Sequence, residues 1–193
     1  MTTGYLIRLT TISLLLLTTF GWQQTYAQTL IAQKSGIISF FSSTPVEDIK
    51  AENTSFSSSI NPADSSVVFT VPIKGFSFRK RLMQQHFNEQ YMESERFPVA
   101  TFRGKLEQPI PSFSGGLATV RTRVTGTLTI RDVSREITGE AVIARTSEEM
   151  DARCELVIRP DDFGIKIPRM LVKNIAEEIS LTISVLYSIS SER

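Results

Sequence analysis

Hydrophobic and polar residues alternate with a period of two along much of this chain, the mark of strands with one apolar and one wet face. Between residues 120 and 131 the even positions are Val120, Thr122, Val124, Gly126, Leu128 and Ile130. The odd positions are Arg121, Arg123, Thr125, Thr127, Thr129 and Arg131. The same period sets Ala152, Cys154, Leu156 and Ile158 against Asp151, Arg153, Glu155 and Arg159. It returns in Ile179, Leu181, Ile183, Val185, Tyr187 and Ile189, opposite a largely Ser/Thr face. Shorter stretches at residues 36–41, 46–55, 67–73, 99–106 and 137–145 predict further strands. About eight strands with one-sided patterning predict an all-β protein whose antiparallel sheet closes on itself or folds onto a partner.

One segment changes period. Met83, Phe87 and Tyr91 recur at i, i+4 and i+8, with Leu82 and His86 beside them, which predicts one short helix near residues 80–94. Set between two strands, such a helix is expected across a sheet face or a barrel mouth. Residues 109–116 and 159–164 are rich in Pro, Gly, Ser and Asp and read as loops.

The N-terminus follows neither period. Arg8, an apolar stretch at residues 12–20 and Thr25-Tyr26-Ala27 make a charged start, a short greasy core and a small-x-small cleavage site. Residues 1–27 are therefore read as a signal peptide cut after Ala27, and the mature protein as periplasmic or secreted. The apolar stretch is well under the ~20 residues that cross a bilayer as a helix. Residues 28–193 suit a single domain with no stable membrane span.

Composition narrows the chemistry. The chain has 193 residues with 21 Lys plus Arg and 20 Asp plus Glu; cleavage removes Arg8 and no acid, leaving the mature chain formally neutral. No basic excess or stripe is present for gripping nucleic acid through its phosphates. One His and one Cys exclude an intrachain disulfide and most zinc centres, so no metal and no cofactor are expected. His86 reads as a structural or rim residue, and Cys154 as a small thiol on the inward face of its strand. Glu148-Glu149, Asp161-Asp162 and Glu177-Glu178 are adjacent pairs whose side chains diverge, which suits turns and strand starts better than acid–base work. Gly115-Gly116 is too bare for a phosphate loop, and Arg79-Lys80-Arg81 is the basic cluster, at the predicted helix start. No constellation supports a reaction, and the chain is read as not an enzyme. Twelve Phe are present, and Phe69, Phe87, Phe97, Phe102 and Phe163 fall on predicted inward positions. They either fill the core or line a cavity for one small ligand.

Four segments in order resemble the YceI-like family. Residues 124–137, Val-Thr-Gly-Thr-Leu-Thr-Ile-Arg-Asp-Val-Ser-Arg-Glu-Ile, are similar to its V-x-G-x-L-T-I-x-G-V-T-R-x-V signature. Phe97-Pro98-Val99-Ala100-Thr101-Phe102 resembles (Y/F)-P-x-x-x-F, and residues 159–165 resemble R-x-D-F-G-I with one extra residue. Residues 175–185 resemble the closing I-x-D-E-V-x-I-x-I strand. Two departures stand out: Asp132 replaces a family glycine, and residues 79–94 share little with the family's R-D-x-H-L-x-S-x-D-F-F run.

The resemblance implies a lipocalin-like antiparallel barrel whose apolar channel holds an isoprenoid-like or acyl lipid tail, without catalysis. On that reading Phe69, Val71, Met83, Phe87, Phe102 and Val124 line the channel, together with Leu128, Ile143, Leu156, Phe163, Leu181 and Ile183. Arg79, Arg81 and His86 stand at its mouth. The partner expected is an apolar or isoprenoid-tailed small molecule, with a homodimer left open. The alternative is an exported barrel with a filled core that serves as a structural or interaction protein of the cell envelope.

Overall fold

The computed structural model describes residues 30–110, 115–167 and 175–189, and in it every alternating stretch is a strand. The strands are β1 (Ile31–Ser43), β2 (Asp48–Asn53), β3 (Ser57–Asn61), β4 (Ser66–Pro72) and β5 (Phe76–Phe78), then β6 (Val99–Leu106), β7 (Ala118–Ile130), β8 (Val133–Arg145), β9 (Glu149–Ile158) and β10 (Ile179–Ser188). All pairings are antiparallel, and β10 returns to pair with β1, from Gln33–Tyr187 to Phe41–Ser180, so the sheet closes. Closure removes the exposed edges that an open sheet would leave.

These ten segments make eight staves. β2 and β3 meet β1 in one unbroken register, Asn53 opposite Ile38 and Ile60 opposite Ile31, with an interruption at residues 54–56. β4 and β5 pair with that broken stave in turn, separated by a 3-10 turn at Ile73–Gly75. One side chain holds both breaks. Asn53 is fully buried; its amide nitrogen donates to the Pro72 carbonyl at 2.8 Å and its Oδ1 accepts the Ser55 N–H at 2.7 Å. Backbone groups that the breaks release are thereby satisfied, as burial demands.

The signature at residues 124–137 is a tight hairpin. Ile130 faces Val133 across a two-residue turn in which Arg131 and Asp132 both take left-handed backbone, at φ 50° and 60°. Two positive φ values give the turn the twist that flanking strands need. Asp tolerates that region better than most residues, which explains how the family's glycine can be absent here. Gly126 faces Gly104 on β6, and a Cβ on Gly126 would lie 2.3 Å from the Gly104 Cα. The two strands therefore approach more closely there than any side chain permits.

The helical segment is shorter than its stripe suggested. Helix α1 (Arg81–His86) widens into a single π turn over Phe87–Tyr91 and stops at Met92. It lies at the barrel end that also carries the turn at residues 44–47, the Arg131-Asp132 turn and the stretch from Arg159 to Ile167. At the opposite end Ile60, Ile143, Met150, Val185 and Tyr187 are almost wholly shielded from outside solvent. Behind them the Tyr187 hydroxyl lies 3.0 Å from Ser58 Oγ, which lies 3.2 Å from Gln33 Oε1, so this buried phenol keeps polar partners. Near the α1 end, β8 and β9 pair only as far as Glu140–Glu155 and then part. A 3-10 turn, Pro160–Phe163, packs against β8 at that divide.

Candidate functional site

The inward faces of the staves do not meet: the space between them runs from α1 down to Ile60, Ile143, Val185 and Tyr187 towards the other end. They enclose a cavity of about 490 Å³, within the range of ~300–1,000 Å³ usual for small-molecule sites. Its wall is built by parity. Phe69 and Val71 reach it from β4, Phe102 from β6, Val124 and Leu128 from β7, Ile143 from β8, Leu156 from β9, and Leu181 and Ile183 from β10. Met83 and Phe87 close over it from α1 and the π turn, bringing eleven of the twelve side chains read as channel lining onto one surface.

The twelfth is elsewhere. Phe163 is buried, but in a second cluster with Ile73, Met92, Ala100, Ile130 and Ile165 rather than on the cavity wall. It sits on the 3-10 turn, where strand alternation gives no guide to direction, and it fills the divide between β8 and β9. Phe97 is also displaced from the inward set: its ring lies outside, with the guanidinium of Arg96 4.8 Å from its centroid and that of Arg131 at 5.7 Å.

Sequence reading missed three rings. Phe40 on β1 and Phe76 and Phe78 on β5 converge with Phe87, at centroid distances of 5.0–5.7 Å. Together they form an aromatic collar under α1. A three-residue strand is too short for periodicity to reveal, although Phe76-Ser77-Phe78 does alternate.

At the mouth, His86 lines the opening but Arg79 and Arg81 do not. The cation there is Lys80, whose Nζ lies 2.5 Å from Glu47 Oε1. Lys80 caps α1 in extended backbone, so its side chain and that of Arg79 leave on opposite sides. Ser42, buried on β1, accepts the Ala176 N–H at 2.8 Å and ties the chain before β10 to the rim. Arg131 fastens the same end. Its guanidinium pairs with Glu93 and donates to the carbonyls of Tyr91 at 3.1 Å and Gly164 at 3.3 Å. The end of the π turn and the 3-10 turn are thus anchored to one hairpin.

The cavity offers apolar contact and little else. Cys154 faces into it, and burial, reinforced by the charges of Glu140 and Glu155, pushes the thiol up to about 11. Only the thiolate reacts. Maleimide labelling of Cys154 at pH 8 is therefore expected to run about a hundredfold slower than at an ordinary thiol near 9, rising about tenfold per pH unit until about pH 11. A rate already level at pH 8 would show an exposed, unperturbed thiol instead. The sign carries over to stability. Tyr187 is likewise held up to about 12 by burial, so folding stability present below pH 10 is lost as pH rises towards 12. Among the described residues no group of three His, Cys, Asp or Glu side chains could hold a metal ion. No helix among them is long and apolar enough to cross a membrane.

Comparison with solved structures places this barrel among close likenesses of fold. A polyisoprenoid binding domain from Saccharophagus degradans, described as implicated in plant cell wall breakdown, superposes with a TM-score of 0.69 at 13% identity, covering 85% of this chain and 100% of its own. BcnA of Burkholderia cenocepacia gives 0.63 at 18% identity, over 78% of this chain and 95% of its own. The YCEI protein of Campylobacter jejuni gives 0.59 at 19% identity, over 73% and 85%. No curated protein sequence matches significantly. The family model of the YceI-like domain matches residues 29–187, from the first strand of the barrel to the strand that closes it. With that span matched and the signature residues forming its central hairpin, the chain belongs to the YceI-like family.

Proposed function

We propose that this protein is an exported, non-catalytic carrier that holds one apolar lipid tail, isoprenoid-like or acyl, inside its barrel. The observation that carries the reading is the cavity itself: about 490 Å³ walled mainly by aliphatic and aromatic side chains, with few polar groups among them. Such a volume in a filled-core protein would be a costly void. Burying a tail gains ~0.8 kcal/mol per methylene, so about ten methylenes offset much of the cost of association. The Saccharophagus degradans neighbour, named as polyisoprenoid binding, supports the choice of ligand class. Export rests on the leader at residues 1–27, which lie outside the described residues.

Native mass spectrometry of the mature protein, purified from the compartment to which it is exported, tests the reading when followed by organic extraction. A bound mass in one-to-one ratio, recovered in the extract as a lipid, is the expected result. A clean unliganded mass that incubation with isoprenoid and fatty-acyl lipids leaves unchanged would overturn it.

A further inference from the structure

The open end of the barrel carries a strip that the cavity does not use. Arg79, Lys80 and Arg81 are exposed in succession, and Leu82 follows with 61% of its surface exposed. The Lys80–Glu47 pair brings the turn at residues 44–47 alongside, and Val46 on that turn is 62% exposed. Two aliphatic tips therefore stand next to a run of three cations. Glu47 is already engaged by Lys80, and among the described residues no carboxylate pairs with Arg79 or Arg81. Lys80 and Leu82 also border the cavity mouth, so a surface that covers the strip covers the opening.

We propose that this rim docks on an anionic lipid bilayer, with Arg79 and Arg81 against headgroup phosphates and Leu82 and Val46 entering the interface. Cations near an anionic leaflet and bulky apolar side chains beside them are the two elements of reversible surface binding. A bilayer matches both at once, because it presents anions and hydrocarbon on one face. An acidic protein surface would satisfy the arginines and leave the exposed Leu82 and Val46 no hydrocarbon to enter. The mature chain is formally neutral, so attraction to the bilayer is local to this rim and orients the molecule. The purpose of docking, transfer of the tail, rests on the carrier reading; docking itself does not, and is measured on delipidated protein.

The test uses a feature of the composition. The sole tryptophan is Trp22, within the leader, so the mature chain has none and Leu82→Trp installs one reporter. Delipidated mature protein is mixed with phosphatidylcholine vesicles, with or without phosphatidylglycerol. Flotation with the anionic vesicles alone is expected, weakening as salt is raised. Emission of Leu82→Trp is expected to shift to the blue on those vesicles. That of Leu117→Trp, at a residue 71% exposed on the opposite end, is expected to stay unchanged. Arg79→Ala with Arg81→Ala should cut vesicle binding about thirtyfold. Absence of flotation on anionic vesicles overturns the proposal, as does an equal shift at both reporters or full binding by the double alanine variant. Failure of the carrier reading would show instead in the mass spectrum, whatever the vesicles do.

Discussion

Replacing Ala152 with phenylalanine is expected to weaken lipid binding about fiftyfold while leaving the melting temperature unchanged or raised. Ala152 lies on β9 between Val185 of β10 and Ile143 of β8, with its methyl on the cavity wall. A phenyl ring there takes the space of about three methylenes of ligand, each worth ~0.8 kcal/mol, hence the loss of about fiftyfold. The protein itself loses nothing, because the ring enters a void and gains contacts. In a barrel with a filled core the same ring would overpack, at about 1–3 kcal/mol. Thermal melting and lipid titration on one variant thus separate the two readings of the twelve phenylalanines. A lowered melting temperature with binding intact would rule out the cavity as the ligand site.

Phe163→Ala is expected to have the opposite profile. Phe163 is 2% exposed and fills the divide between β8 and β9. Removing a buried ring costs about 3–5 kcal/mol, so the melting temperature should fall by about 10 °C in a domain of this size. Its position off the cavity wall predicts that lipid affinity, measured well below the transition, changes by less than about threefold. Calorimetry with a parallel titration checks both halves. A selective loss of affinity with stability preserved would return Phe163 to the channel.

How far the sequence could be read follows from which signals are local. Strand periodicity is local, and it placed Val124 and Leu128, Leu156, and Leu181 and Ile183 on one inner surface. The helical stripe of Met83, Phe87 and Tyr91 is local too, and all three face the cavity. What escaped depended on distant partners. The interruption of two staves is stabilised by Asn53 reaching Pro72, a contact with no sequence signature. The outward course of Arg79 and Arg81 follows from the extended cap at Lys80, which a helical stripe does not specify. Phe163 was misplaced because a 3-10 turn obeys neither period. Arg131, which holds Tyr91 and Gly164, looked like one more polar residue at a strand end.

Closure of the barrel by β1 and β10 sets when the molecule gains an interior. Gln33 and Tyr187 are register partners although almost the whole domain separates them along the chain. Such pairings give a high contact order, and the entropy of closing so large a loop must be met before the contacts that reward it form. Leu181 and Ile183, part of the cavity wall, arrive only with that last stave. A nascent chain that lacks β10 has an open, curled sheet and no interior. On the carrier reading, lipid therefore enters after the barrel has closed, and the empty barrel must persist as a species in its own right.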